Sequence, residues 1–267
     1  MTEQLGDEQH GVSAGSELTV ELGDDHVALL EFDRPPNNFF SLDLILQVAD
    51  ACDRLAAETS CRAIVLCSAG RVFCAGADFA AGPRLSDNGG LHLYDAAQRL
   101  FDQPLPIVAA VQGAAIGGGL GLAMAADFRV ASTSARFAAN FALLGIHHGF
   151  ALTVTLPAAI GQQAALDLLY TGRRVTGEEA VALGLADELA EPAHVREQAH
   201  AFAARIAASA PLAVRSIRET MRGPLAAQAK AAMARERAEQ ERLFQTADWR
   251  EGLAAVQDRR AARFTGK

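Results

Sequence analysis

The chain has 267 residues, half of them hydrophobic and 21% charged, enough for one large domain with a substantial core. This composition excludes a disordered or collagen-like chain. The formal net charge of -8 argues against an overall basic nucleic-acid binder, although residues 191–267 carry 14 Lys/Arg against 9 Asp/Glu, where a polyanionic ligand would find counter-charge.

Residues 1–16 are polar and read as a flexible N-terminus. Residues 18–22 and 26–32 predict two strands joined by Gly23-Asp24-Asp25, a hairpin. Arg34-Pro35-Pro36-Asn37-Asn38 breaks the pattern, and Ser41 is placed to cap a helix whose buried stripe runs Ile45, Ala49, Cys52, Ala56. Residues 63–67 form a short apolar run of the kind found in central strands. Residues 81–90 read as a mobile loop and 92–101 as a helix.

Residues 106–111 predict another strand. Gly117-Gly118-Gly119 then opens a helix through Ala125, and residues 127–131 predict a strand. Further on, 161–170 read as helical, and Thr176 with Glu179 forms a capping-box pattern. Residues 192–209, 211–221 and 225–246 predict three helices, with a last one from about Asp248. The order is βα alternation followed by a helical tail.

Cys52, Cys61, Cys67 and Cys74 lack CxxC and zinc-like spacing, and residues 1–30 show no basic start with an apolar run. The expectation is reduced thiols in a cytoplasmic protein with no catalytic metal. Residues 107–126 come nearest to a membrane span, but Gln112 and five glycines interrupt them, so no membrane insertion is expected.

Two segments share a design: Ala75-Gly76-Ala77-Asp78 and Ile116-Gly117-Gly118-Gly119 each run from an apolar strand through small residues to a helix start. Read one way, each glycine cluster is only a tight turn or close contact. Read the other, the small residues admit a ligand to unpaired backbone N–H groups, and two donors aimed at one oxygen make an oxyanion hole. Neither segment has the spacing of a phosphate or dinucleotide loop.

These segments, together with Asp33-Arg34-Pro35-Pro36-Asn37-Asn38, Pro106 to Gly113, Ala125-Ala126-Asp127, Leu169-Tyr170-Thr171-Gly172, Gly184-Leu185-Ala186 and Arg250-Glu251-Gly252, make the chain resemble the crotonase (enoyl-CoA hydratase/isomerase) superfamily over roughly residues 30–260. The resemblance implies an α/β fold: a crotonase-like spiral of ββα units over 17–205 and a C-terminal helical trimerisation region over 206–267. It implies a homotrimer or dimer of trimers and an acyl-CoA thioester ligand. Coenzyme A would enter as part of the substrate, with no tightly bound cofactor.

The family's oxyanion donors map to the backbone N–H groups of Ala77 and Gly118, and its coenzyme A contacts to Arg34, Ala75 and Arg259. Asp78 is expected to brace the helix after Ala77.

The departures bear on chemistry. Where hydratases of the family carry two glutamates, this chain has Gly121 and Phe141, and a third carboxylate position is Gly149. Ordinary crotonyl-CoA hydration is therefore expected to be very poor, since general acid–base catalysis contributes roughly 10²–10⁴-fold. His148, beside Gly149, is the first candidate for a relocated acid or base. His147 and Asp95 come next, with Asp87 and His92 in the same pool. Two functions follow: an acyl-CoA enzyme working through enolate stabilisation, or a catalytically weak acyl-CoA binding or shuttling protein.

Overall fold

The segment Ala63–Ser68 is buried along its whole length, as a strand covered on both faces must be. The structure, a computed structural model, describes residues 17–79, 85–87 and 90–267. The expected flexible N-terminus lies outside the described residues, as does most of the 81–90 loop.

In chain order the elements are β1 (Leu18–Leu22), β2 (Val27–Phe32), α1 (Leu42–Ala57), β3 (Ala63–Ser68), α2 (Leu93–Phe101), β4 (Ile107–Val111), β5 (Ala114–Ile116) and α3 (Gly118–Ala125). Then come β6 (Phe128–Ser132), β7 (Arg136–Ala138), a 3₁₀ turn at Ala142–Leu144, α4 (Leu152–Ile160), α5 (Gln162–Thr171), β8 (Arg174–Thr176) and α6 (Gly177–Leu183). The chain closes with β9 (Glu188–Ala190), α7 (Val195–Ala207), α8 (Pro211–Leu243) and α9 (Ala247–Gln257).

One sheet has the order β1-β2-β3-β4-β6-β9, antiparallel only at the β1–β2 hairpin, where Leu18 faces Phe32. A second, three-stranded sheet has the order β5-β7-β8. Each of β4 and β6 is followed directly by a short strand of the second sheet, so the chain steps between two layers as a spiral of ββα turns.

Alternation along the strands sorts the core. Ala63, Val65, Cys67, Val108, Ala110 and Val130 face one way, and α7 covers them with Val195, Ala199, Ala203 and Ala207. Ile64, Leu66, Ile107 and Ala109 face the other way, into the larger core shared with α1, α2 and α3. Helix α3 is buried on every side, which its composition of Gly, Leu, Ala and Met permits.

The helical tail differs from the sequence expectation at one point. The expected break between 221 and 225 does not occur, because α8 runs unbroken through Pro224 for 33 residues. A proline inside a helix costs about 3 kcal/mol. Contacts on both sides offset it: Arg218 and Arg222 bind Asp127 before the proline, and Gln98 Nε2 donates to the Ala226 carbonyl after it (3.2 Å).

The capping box expected at Thr176 is half present. Thr176 Oγ1 accepts from the Glu179 N–H, but the Glu179 carboxylate pairs with Arg173. The complete box sits instead on α2. There the His92 ring accepts from the Tyr94 N–H (3.1 Å), and the Asp95 carboxylate accepts from the His92 N–H (3.0 Å).

This cap requires a neutral imidazole. Burial first, with Arg237 adding to it, pushes the His92 pKa down from 6.5 to about 4. The unfolded chain therefore takes up a proton that the fold refuses. The stabilisation is complete above about pH 6.5 and is lost as pH falls toward 4, about 1–3 kcal/mol in all. Replacing His92→Asn keeps a capping side chain without the titration. Urea unfolding of this variant between pH 6.5 and 4 is expected to show a shallower loss of stability than the parent.

Candidate active site

The loop 33–41 is fixed by its asparagines. Asn38, buried in a left-handed conformation, donates through Nδ2 to the Ala69 and Val72 carbonyls (2.8 and 2.7 Å), and its Oδ1 accepts from the Arg34 N–H. This sets the loop beside the first small-residue segment. The Ala75 N–H donates to the Asn37 carbonyl (3.1 Å), and the Phe40 N–H donates to the Gly76 carbonyl (2.9 Å).

The two small-residue segments are brought together by backbone bonds. The Cys74 N–H donates to the Ala114 carbonyl, and the Ile116 N–H donates to the Cys74 carbonyl (2.9 and 3.0 Å). Gly76 takes φ +87°, open to glycine, and a Cβ there would stand 2.9 Å from the Ile116 carbonyl oxygen and 3.3 Å from the Gly118 nitrogen. A Cβ on Gly119 would overlap the Cys74 carbonyl. The glycines thus seat the start of α3 directly against residues 74–77. Gly118 is the first residue of α3, and among the described residues neither its N–H nor that of Ala77 has a hydrogen-bond acceptor.

Ala75, Ala77 and Gly118 border one cavity of about 70 Å³. Its walls are aromatic: Phe40, Phe79, Phe141 and Phe150, with the Phe40 and Phe150 rings 5.7 Å apart. It adjoins a wider cleft of about 480 Å³ lined by Arg34, Pro35, Pro36, Ser41 and Asp78. From the tail, Trp249 on α9 stacks edge-on against Phe79 (5.1 Å). Asp78 was expected to brace a helix after Ala77, and beyond Phe79 the chain at 80–84 lies outside the described residues.

The three carboxylate-free positions are filled in distinct ways. A side chain on Gly121 would overlap Phe150. Phe141 itself lines the cavity. A side chain on Gly149 would overlap the Tyr94 hydroxyl and stand 2.7 Å from Gln240 Nε2. Phe150 and Ala151 both have positive φ, which turns Phe150 inward at the start of α4.

The expected acid–base candidates fall elsewhere. None of His147, His148 and Asp95 lines this cavity. The His148 ring bonds Thr153 Oγ1 (2.9 Å), and burial, with the adjacent His147 ring, pushes its pKa down to about 4. His147 Nδ1 lies 2.8 Å from the His148 carbonyl, and the two rings stack at 4.1 Å. Asp95 is exposed and occupied as the α2 cap, and Asp87 Oδ1 accepts from the Leu91 N–H.

Thr153 donates to Glu236 Oε1 (2.6 Å), and Glu236, wholly buried on α8, also accepts from the Ala151 and Thr153 N–H groups (2.8 and 3.0 Å). Burial raises its pKa against these bonds. Glu236 thus caps α4, whose own N-cap residue, Ala151, has no side-chain acceptor.

Arg34 lines the wider cleft, with Nε on Glu17 (2.9 Å) and a guanidinium N–H on the Phe39 carbonyl (2.7 Å). Arg259 is exposed in a left-handed turn after α9 and borders neither the cavity nor that cleft.

The polar side chains that border the cavity among the described residues, Tyr94, Asn140 and Gln240, were not among the sequence candidates. Tyr94 Oη donates to Gln240 Oε1 (2.9 Å), and Gln240 Nε2 donates to the His147 carbonyl (3.0 Å). Burial pushes the Tyr94 phenol pKa above its ordinary value, so it stays protonated. A signal existed for Gln240: it continues the buried stripe Ala229, Met233, Glu236 at helical spacing, and a polar residue in such a stripe needs a partner.

The four cysteines are buried free thiols, and burial pushes their pKa values up to about 11 for Cys61 and about 12 for Cys52, Cys67 and Cys74. They are thiols rather than nucleophilic thiolates. Among the described residues no cluster of His, Cys, Asp or Glu could hold a metal ion, and no helix is long and apolar enough to cross a membrane.

Comparison with known proteins agrees with this architecture. Residues 23–267 match the family model described as enoyl-CoA hydratase/isomerase. The chain is 33% identical over 258 residues to a putative enoyl-CoA hydratase/isomerase, YngF, of Bacillus subtilis, covering 94% of this chain and 99% of that protein. It is 31% identical over 250 residues to a crotonyl-CoA hydratase of Syntrophomonas wolfei, covering 91% and 96%. A crystal structure of an enoyl-CoA hydratase/isomerase from Pseudoalteromonas atlantica superposes with a TM-score of 0.86 at 30% identity, covering 94% of this chain and all of the other. With its α/β layers, C-terminal helices and glycine-rich start of α3, the chain belongs to the enoyl-CoA hydratase/isomerase family.

Proposed function

We propose that this protein binds an acyl-CoA thioester with its carbonyl oxygen between the Ala77 and Gly118 N–H groups and acts by stabilising the enolate, by a route other than two-glutamate hydration. The observation that supports this reading is that Ala77 and Gly118, whose N–H groups have no acceptor among the described residues, line one cavity with Gly76 seated against the Gly118 nitrogen, while Phe150, Phe141 and Tyr94 fill the positions without carboxylates. Such donors act where charge develops, and removing one from an oxyanion hole costs about 10²–10³ in rate. Coenzyme A would run along the wider cleft past Ala75 and Arg34, with Arg259 reserved for a phosphate. The working unit would be a homotrimer or dimer of trimers in the cytoplasm, the buried thiols suiting a reducing compartment.

A second reading, a catalytically weak acyl-CoA binding or shuttling protein, is favoured by one specific observation. Among the described residues, Tyr94, Asn140 and Gln240 are the polar side chains around the cavity, and none is a carboxylate or an imidazole. Proton transfer by His148, His147 or Asp95 would need a ligand that reaches beyond the cavity walls.

The test is mass-resolved product analysis with a panel of enoyl-, 3-oxoacyl- and aromatic-CoA thioesters, with binding measured on the same samples. Turnover of one class is expected under the first reading, and saturable binding without turnover under the second. Failure to bind any CoA thioester would remove both.

A further inference from the structure

The loss of a side chain at 149 is coupled to a specific polar arrangement. Tyr94 Oη occupies the space where a residue-149 side chain would begin, and Gln240 Nε2 crowds the same point. Gly149 is therefore the residue that lets the phenol and the carboxamide meet beside the cavity. Both side chains are buried and both line it.

The orientation of the pair is fixed. Gln240 Nε2 faces the His147 carbonyl, a pure acceptor, so the amide nitrogen must point there and Oε1 must point to Tyr94. The Tyr94 proton is then committed to Oε1. What remains for a ligand on this pair is acceptor capacity at Tyr94 Oη and Gln240 Oε1, together with the second N–H of Gln240 Nε2. In a cavity whose other described walls are apolar apart from Asn140, the pair thus offers neutral acceptors and one donor at one place, which suits a hydroxyl, able to donate and accept at once, and gives an unsubstituted acyl chain nothing.

We infer that the Tyr94–Gln240 pair is a specificity site that recognises a hydroxyl group carried on the acyl chain of the bound thioester. The inference rests on the acyl-CoA reading above. Because the oxyanion donors and the pair border the same cavity of about 70 Å³, the hydroxyl must lie close to the thioester, as in a 3-hydroxyacyl chain. The pair positions the chain without proton transfer.

The experiment compares equilibrium binding of 3-hydroxybutyryl-CoA, 3-oxobutyryl-CoA and butyryl-CoA to the full chain and to Tyr94→Phe, which removes only the hydroxyl. One hydrogen bond of this kind predicts about a 3–10-fold preference of the parent for the hydroxylated thioester over butyryl-CoA. The 3-oxo compound, which can only accept, is expected to bind less tightly than the 3-hydroxy compound. In Tyr94→Phe the preference should fall toward parity while butyryl-CoA affinity is retained, and that retention shows that the variant is folded. Gln240→Leu should also lose the preference.

Equal affinity of the parent for the hydroxylated and unsubstituted thioesters, or an undiminished preference in Tyr94→Phe, would overturn the inference while leaving acyl-CoA binding intact. Binding of none of the three by the parent would remove the acyl-CoA reading and this inference with it.

Discussion

Crotonyl-CoA mixed with the purified protein is expected to hydrate at least about 100-fold more slowly than with a family member that keeps both glutamates, since that is the lower bound of what general acid–base catalysis supplies. The reason is spatial as well as chemical. Phe141 and Phe150 line the cavity, a side chain on Gly121 would overlap Phe150, and the Tyr94 phenol, raised in pKa by burial, is no base near neutral pH. Restoring one carboxylate should not restore the reaction. A side chain on Gly121 overlaps Phe150, so Gly121→Glu is expected to destabilise by about 1–3 kcal/mol through overpacking before any chemistry is gained. Loss of the enoyl absorbance with time, alongside urea unfolding, reads both effects. Efficient hydration by the unaltered chain would refute the assignment.

Asp127→Ala is expected to lower unfolding stability by about 3–5 kcal/mol, the cost of breaking a buried ion pair by removing one partner. Asp127 is nearly buried and serves three groups. Its Oδ2 accepts from the Ile107 N–H (2.8 Å) and from Arg218 Nε (3.0 Å), and its Oδ1 from Arg222 Nε (3.0 Å). Arg218 also donates to the Gln103 carbonyl, and Arg222 to the Ala125 carbonyl. The cluster therefore ties α8 to the start of β4 and to the end of α3, the helix whose other end carries Gly118. Truncation would leave the Arg218 guanidinium buried with one partner fewer. Urea unfolding at neutral pH measures the loss, and a change under about 1 kcal/mol would place Asp127 among ordinary surface charges.

The elements read most directly from sequence are those whose signal is local. Ser41 caps α1 through the Leu44 N–H, as its place before an apolar stripe indicates, and the Gly23-Asp24-Asp25 turn closes the β1–β2 hairpin. The apolar run at 63–67 lies in β3, in the middle of the six-stranded sheet between β2 and β4. Helix α4 was not legible, because its sequence is apolar on all sides, carries Thr153, Val154, Thr155 and Pro157, and begins on a left-handed alanine. It is held by Glu236, which lies 83 residues beyond Thr153 on α8. Strands β8 and β9 have three residues each, too few for any periodicity to register.

The candidate site divides along the same line. The sequence by itself determined the family, the two small-residue segments and the absence of carboxylates at 121, 141 and 149, because each of these is the identity of a residue at a spacing. Which groups border the cavity was decided by the tertiary structure. His147 and His148 are adjacent to Gly149 in the chain, yet they turn to each other and to Thr153. Tyr94 and Gln240, 146 residues apart, meet at that glycine. Sequence spacing fixes which side chains exist. Where each points is fixed by burial and hydrogen bonding among distant segments, since a buried hydroxyl or amide must find its partner wherever the fold supplies one.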